Sequence, residues 1–342
     1  MVGLMPTVSA IIPTYNRADL VQSVVTNLRA QSRPPDQIIV VDNGSRDGTQ
    51  ILARQLGADL IVFPENRGFA VAVNEGIRQA RGDWLLIVNN DVVLEPGWID
   101  RLLLAAQQEN VLFAIGKLLR KDDLKTLDGS WDLVSRAAYA WRCGYGHPDG
   151  AIWSIRRKVF FPPMTAALFH RQVFEGVGLL ETRFESYYED VDFGVRCALA
   201  GLEGIYEPAA VAVHIGKATF GKNGARIMYL SARNQVLLLA KHYPAQTLRR
   251  FAWPILVGQI LSLMAAAKQG HFFAALRGKW HGLRQWSTFR KEIDTVAARD
   301  ARLPAIDAIE AAFSESELEI RRLQRQIGFD SYWRLYFSLV RS

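Results

Sequence analysis

Val8-Ser9-Ala10-Ile11-Ile12-Pro13-Thr14-Tyr15-Asn16-Arg17 is the stretch that decides the fold. Its apolar run, Val8 to Ile12, is too short for a helix and rich in β-branched residues, which predicts a buried strand. The breaker Pro13 and the polar Asn16-Arg17 follow. Leu20, Val21, Val24, Val25 and Leu28 then recur at helical spacing. The same alternation continues outward. Gln37 to Val41 reads as a second strand, closing on the turn-rich Asp42-Asn43-Gly44-Ser45-Arg46-Asp47-Gly48-Thr49, where Thr49 is an N-cap candidate. Leu60 to Phe63 reads as a third, and Phe69, Ala72, Val73, Gly76, Ile77 and Ala80 trace one helix face. Trp84 to Val88 makes a fourth strand, ending in Asn89-Asn90-Asp91. A βαβαβαβ order predicts an α/β fold with a mostly parallel sheet flanked by helices.

Ligands of such sheets bind outside the carboxyl ends of the strands. Three polar loops fall there: Pro13 to Arg17, Asp42 to Ser45, and Asn89 to Asp91. Asn, Asp and Gly are good turn formers, which explains any one loop; three at the same edge predict a ligand site. Neither G-x-G-x-x-G after the first strand nor G-x-x-x-x-G-K-[ST] is present, so neither backbone phosphate cradle is available. A diphosphate would then need a divalent cation held by hard oxygen ligands, and Asp91 is placed for that.

The second informative stretch is Tyr188-Glu189-Asp190-Val191-Asp192-Phe193-Gly194-Val195-Arg196, with His214 closing an apolar run downstream. Three carboxylates within four positions repel and raise one another's pKa, an arrangement suited to a base or a metal. Bland readings stand beside this one. Glu189 and Asp192 could charge the N-terminus of the following helix, Arg196 could pair with Asp192 four residues away, and His214 could be a satisfied core histidine. Asn74 falls on the polar face of its helix, where solvation competes with a role near the donor loop.

These segments resemble the inverting family 2 glycosyltransferases of GT-A fold. The resemblance lies in Ser9 to Arg17, Val41 to Ser45, Glu65-Asn66-Arg67-Gly68-Phe69-Ala70, Gly82 to Asp91, Glu189 to Phe193 with Arg196, and His214. It spans residues 7 to about 240 and looks most like bacterial rhamnosyltransferase-like members. It implies transfer of a sugar from a nucleotide-diphosphate donor, dTDP-rhamnose or a UDP-sugar, to a glycan or polyprenyl-linked acceptor in cell-surface polysaccharide assembly. By position, it implies that Pro13, Tyr15 and Asp42 line the base and ribose, with Thr14, Asn16, Arg17, Asn43, Asn89 and Asn90 also on the donor side. Asn66, Arg67, Gly68 and Asn74 would lie near the nucleotide or diphosphate. Asn89-Asn90-Asp91 stands where the family carries Asp-x-Asp, so Asp91, with His214, would hold Mg²⁺ or Mn²⁺. Asp190 would be the general base, with Thr165, Ala166, Glu189, Asp192 and Arg196 as acceptor and support residues. Asn89 replaces the first acid of the usual metal motif, and Thr165 stands where relatives often have Gly.

The expected division is a catalytic domain over residues 1–245 and a helical extension over 246–342. The first would comprise a donor half (1–118), an aromatic insertion (119–161) with mobile loops, and a base half (162–245). Rings at Trp131, Tyr139, Trp141, Tyr145 and Trp153 suit either sugar stacking or a core. Charge is uneven: Pro208 to Lys291 holds thirteen Lys or Arg and no acid, leaving 28 basic against 34 acidic residues elsewhere. Within that block, Phe251 to Ala267 is an uncharged run of marginal length for crossing a bilayer. His271 to Phe289 has the composition of an amphipathic helix at an anionic membrane surface. Two cysteines, Cys143 and Cys197, provide no disulfide framework, and Met1 to Thr7 lacks the features of a secretory leader. A cytoplasmic protein, peripheral on the inner face of the membrane, is expected. The apolar tail from Tyr332 to Leu339 suits docking on the enzyme, on lipid or in a homo-oligomer. Nucleic acid is not the expected partner, since the cations are interleaved with aliphatic runs and no helix-turn-helix, RRM or zinc pattern occurs. The rival functions are a sugar nucleotidyltransferase, which would carry a Gly-rich basic phosphate loop, and a non-catalytic nucleotide-binding module at the membrane.

Overall fold

The structure, a computed structural model, describes residues 6–216, 220–297 and 306–341; the start of the Met1 to Thr7 segment lies outside them. The predicted alternation is present as β1 (Val8–Thr14), α1 (Ala18–Arg29), β2 (Gln37–Asp42), α2 (Thr49–Gln55), β3 (Asp59–Val62), α3 (Phe69–Gln79) and β4 (Trp84–Val88). Leu20, Val21, Val24, Val25 and Leu28 form the buried stripe of α1, as their spacing predicts. The cap of α2 falls one residue earlier than expected: Gly48 takes the left-handed conformation and the Asp47 carboxylate accepts from Thr49 N.

After β4 come β5 (Val92–Leu94), α4 (Trp98–Glu109), β6 (Phe113–Arg120), β7 (Asp123–Gly129), β8 (Asp132–Val134) and β9 (Ala140–Arg142). Then follow β10 (Arg157–Val159), β11 (Ala166–His170), α5 (Arg171–Val177), α6 (Glu189–Leu199) and β12 (Gly204–His214). One ten-stranded sheet runs β10-β12-β6-β11-β4-β1-β2-β3, with β5 on β12 and β7 on β6. The run β4-β1-β2-β3 is parallel, so its carboxyl ends share one edge, with Thr14 opposite Asp42. The other half adds antiparallel neighbours. β11 lies antiparallel to both β4 and β6, and only β6 and β12 are parallel there, so the sheet is mixed. The core beneath the sheet includes Val21, Val24, Leu86, Trp98, Leu102, Ala114 and Leu168.

The aromatic insertion is a correction as well. It forms strands rather than mobile loops, and Trp131 and Trp153 are buried against Tyr206, with Trp131 ring centroids 5.7 and 5.0 Å from theirs. The chain divides at a different place from the one expected. One unit comprises residues 1–131 and 142–218, the other residues 132–141 with 219–342. The second unit therefore begins with a hairpin (β8, β9) lifted out of the middle of the first. Its helices are α7 (Phe220–His242), α8 (Ala245–Arg250), α9 (Ala252–Lys268), α10 (Phe272–Ala297), α11 (Ile306–Ile327) and α12 (Ser331–Leu339). The reason is hydrogen bonding inside that unit. Val134 N donates to Ser316 Oγ, and Arg136 donates through N and Nε to Glu317, which also accepts from Tyr336 Oη at 2.7 Å. The apolar tail docks within its own chain through buried Trp333 and Tyr336. Among the described residues no helix is long and apolar enough to cross a membrane.

Candidate active site

The nucleotide side is built by loops that hold one another. Asn43 is the hub: its N donates to Thr14 O (2.8 Å), its Oδ1 accepts from Arg67 N (2.8 Å), and its Nδ2 donates to Asn66 Oδ1 and Gly68 O. Asn66 Oδ1 also accepts from Gly68 N. Asp42 is buried, its carboxylate accepting from Ser45 N and Gln50 Nε2. Asn16 joins the first two loops, its N donating to Ser45 Oγ and its Oδ1 accepting from Arg46 N. Pro13 is buried in β1, Arg17 pairs with Asp19, and Tyr15 projects half-exposed at the edge.

The loop at residues 65–70 is tied to the segment ahead of the acidic motif. Gly68 has φ +89°, and a Cβ there would stand 2.9 Å from Glu185 O, so a side chain is excluded twice over. Ala70 N donates to Glu185 O at 3.2 Å. Glu185, Tyr187 and Tyr188 themselves have positive φ, of 64°, 67° and 71°. Three non-glycine residues in that region within four positions mark local strain of the kind that clusters at functional sites.

The three carboxylates that open α6 are sorted by their surroundings. Asp192 is fully buried and pairs with Arg196 at 3.1 Å, whose guanidinium also donates to the carbonyls of Val177, Gly178 and Leu179. That pair locks α5 to α6, so Arg196 does more than brace its own helix. Glu189 is buried with Oε2 lacking a partner, and burial followed by the charge of Asp190 pushes its carboxyl well above the usual carboxylate range. Asp190 is the carboxylate within reach of solvent, its side chain 16% exposed. Its Oδ1 accepts from Val191 N at 2.9 Å and its Oδ2 faces Arg142 Nη2 at 3.4 Å.

The metal side gathers at the ends of β4 and β12. His214 Nε2 stands 3.2 Å from Asp91 Oδ1, and Nδ1 stands 2.7 Å from Asp128 Oδ2. Burial lowers the imidazole's pKa, but the bonds to Asp128 and Asp91 outweigh it and push it up to about 9. Asn90 Nδ2 donates to Thr14 Oγ1 (2.9 Å), and the buried Asn89 Oδ1 has no partner. The Asp91 carboxylate and the His214 imidazole are donors of the kind a divalent cation such as Mg²⁺ or Mn²⁺ accepts. Among the described residues no three His, Cys, Asp or Glu side chains form a self-sufficient cage. A cation here would take its remaining ligands from a bound diphosphate.

A continuous path links the two sides. Asn89 N donates to Thr165 O (2.9 Å), and Arg142 Nη1 donates to Thr165 Oγ1 (3.3 Å) while Nη2 reaches Asp190. Ala166 continues this segment into β11, opposite Val88. Arg142 passes over Gly129, where a Cβ would lie 2.3 Å from Arg142 Cγ, and Gly129 follows the Asp128 that orients His214. Asp91 and His214 are in direct contact, and Asn89, two residues before Asp91, is joined to Asp190 through Thr165 and Arg142. Asp128 and Arg142 were missing from the predicted set, since Asp128 is one of several charges between Arg120 and Asp132 and Arg142 is a single cation next to Trp141. Only the pairing of β7 with β6 reveals them.

Asn74 corrects an expectation. It is buried, not solvated, and exchanges two hydrogen bonds with the Leu180 backbone, at 2.8 and 2.9 Å. An amide so engaged supports the turn before α6.

A model of the family described as "Glycosyl transferase family 2" matches residues 9–178. An N-acetylglucosaminyl-diphospho-decaprenol L-rhamnosyltransferase of Mycobacterium tuberculosis is 27% identical over 271 residues, covering 71% of this chain and 86% of that protein. An O-antigen biosynthesis protein of Myxococcus xanthus is 29% identical over 58% of this chain and 16% of its own length. Among solved structures, a mannosyltransferase from Pyrobaculum calidifontis in complex with GDP-Man and Mn²⁺ superposes with a TM-score of 0.52 at 21% identity, covering 87% of each chain. GalNAc-T7 with UDP, GalNAc and Mn²⁺ gives 0.61 at 11% identity, covering 88% of this chain and 59% of that one. The two structures share the GT-A fold with this chain.

Proposed function

This chain belongs to glycosyl transferase family 2, and from that premise we propose that it moves a hexosyl or deoxyhexosyl unit from a nucleotide-diphosphate sugar to a glycan or polyprenyl-linked acceptor, with inversion. Family membership displaces the nucleotidyltransferase and non-catalytic readings. The observations that carry the proposal are the contact of His214 with Asp91 and the hydrogen-bonded line from Asn89, two residues before Asp91, through Thr165 and Arg142 to Asp190. They join a diphosphate-side cation site to one partly open carboxylate.

Asp190 takes the proton of the acceptor hydroxyl as that oxygen attacks the anomeric carbon. The bond from that carbon to the diphosphate breaks on the opposite face, and its electron pair leaves with the nucleoside diphosphate. Arg142 Nη2, 3.4 Å from Asp190 Oδ2, aims that carboxylate. Glu189 stands beside it, buried, its carboxyl held well above the usual carboxylate range by that burial and by the charge of Asp190. Asn43 shapes the loop at Asn66, Arg67 and Gly68 around the nucleotide, with Pro13, Thr14, Tyr15, Asn16, Arg17 and Asp42 forming the base and ribose wall. Asp91 and His214 would hold Mg²⁺ or Mn²⁺, which neutralises charge on the departing diphosphate when bound. The decaprenol-linked substrate in the name of the mycobacterial relative supports a lipid-linked acceptor, and its rhamnosyl donor supports dTDP-rhamnose ahead of a UDP-sugar.

The test is calorimetric binding of a nucleotide-sugar panel with and without Mn²⁺ or Mg²⁺. One nucleotide class is expected to bind, and more tightly with the cation. No binding to any member under either condition would remove the proposal.

A further inference from the structure

The helical unit carries an exposed face that glycosyl transfer does not use. On α9 the side chains turned outward are Trp253, Leu256, Ile260 and Met264, each between 50% and 56% exposed. Spaced three, four and four residues apart, they make one stripe, while Pro254, Val257, Gly258 and Leu261 are buried on the other side. α10 repeats the pattern with Phe273, Leu276, Trp280 and Leu283, of which Phe273 is 82% exposed. Only Gln269 to His271 separate these helices. Trp253 Nε1 donates to Leu339 O at 2.9 Å, which brings another exposed leucine alongside. Surfaces of soluble monomers rarely present apolar side chains in such contiguous rows.

The charge around the stripes identifies what covers them. From Phe251 to Lys291 there is no Asp or Glu. Lys268, Arg277, Arg284 and Lys291 are exposed, and Arg277 and Arg284 each follow a stripe leucine directly. The Arg284 guanidinium lies 5.9 Å from the centre of the Trp280 ring, at the border between apolar and charged surface. A second copy of the chain laid on this face would set cations against cations with no acid to receive them. An anionic bilayer supplies both an apolar layer and phosphates.

We propose that the outward faces of α9 and α10 dock the chain in the plane of an anionic bilayer. Trp253, Phe273 and Trp280 enter the headgroup boundary while Lys268, Arg277 and Arg284 meet lipid phosphates. The run at 251–267, marginal for crossing, serves as one of two surface helices. This inference is independent of the transfer chemistry, and nucleotide-sugar binding measured without lipid is unaffected by its failure.

The experiment is sedimentation of the full chain with phosphatidylcholine vesicles, with and without phosphatidylglycerol, at low and high salt. Binding is expected to require phosphatidylglycerol and to weaken with salt. Arg277→Gln with Arg284→Gln should lower affinity about thirtyfold, at roughly fivefold per cation. Ile260→Ser with Phe273→Ser should abolish binding while the circular dichroism spectrum and the melting temperature are kept, because both positions are exposed. Brominated lipids should quench tryptophan emission, and less so in Trp253→Phe with Trp280→Phe. Equal partitioning to neutral and anionic vesicles, no binding at all, or a solution dimer broken by the same serine substitutions would overturn the proposal.

Discussion

Asp190→Asn separates a base from a structural acid. The amide keeps an oxygen for Val191 N and nearly the same volume, so the first turn of α6 is retained. What it loses is the pairing with Arg142, a 3.4 Å contact between side chains 28% and 16% exposed, worth under about 1 kcal/mol after solvent screening. Against that loss stands a gain at Glu189. Its carboxyl titrates higher in the folded chain than unfolded, so the native state holds more protons across that window and stability falls as pH rises through it. Removing the Asp190 charge takes away one of the causes of that rise, so at neutral pH the variant should be as stable as the parent or slightly more so. Turnover is another matter. A positioned general base contributes about 10²–10⁴ in rate, so kcat should fall by that factor, equivalent to roughly 3–5.5 kcal/mol of barrier. Nucleotide release in the presence of acceptor measures the fall, and calorimetry with donor alone should show unchanged affinity. If kcat stays within about tenfold of the parent with donor binding intact, Asp190 is not the base.

Asp128→Asn should weaken Mn²⁺ binding in the presence of a nucleoside diphosphate by about 10–100-fold, read by titration rather than activity, because Asp128 orients the His214 ring. Asn74→Ala leaves the buried Leu180 N–H and carbonyl unpaired and should cost about 2–4 kcal/mol in chemical denaturation; a tenfold rise in donor KM at full stability would restore Asn74 to the donor site. Lys279 is buried on α10 with Gln235 and Gln259 as its partners, and burial pulls its pKa down to about 7. Unfolded chains then bind more protons between about pH 7 and the ordinary lysine value, so stability should climb with pH across that window. Lys279→Met should flatten the climb and stabilise the protein at pH 7, by less than about 4 kcal/mol because both glutamines lose a donor; an unchanged slope would show that Lys279 is not its source.

The parallel half of the sheet was legible because each strand is a short apolar run followed by a helical stripe, a pattern written within some thirty residues. The antiparallel half was not, because β11 and β12 pair with partners far along the chain and local periodicity carries no register. The sites divide in the same way. Asp91 and Asp190 stand out, the first at a strand end and the second among neighbouring acids. Asp128 and Arg142 acquire meaning only when β7 folds onto β6. The rings of residues 131–153 were ambiguous for a related reason: burial and sugar stacking ask for the same side chains. Asn74 misled because a buried amide that satisfies a backbone looks, on a helical wheel, like one facing water.

The hairpin at residues 132–141 carries a consequence for biogenesis. Val134 hydrogen-bonds to Ser316, 182 residues further on. At a synthesis rate of about 5–20 residues per second, the ribosome needs on the order of ten to forty seconds to deliver that partner, and the waiting peptide is one that chaperones would recognise. Nor can the helical half be clipped off as an appendage, since a protein ending near residue 218 would keep the hairpin and lose Ser316 and Glu317, to which it hydrogen-bonds. Engineers who want a smaller enzyme would have to cut twice and rejoin the chain.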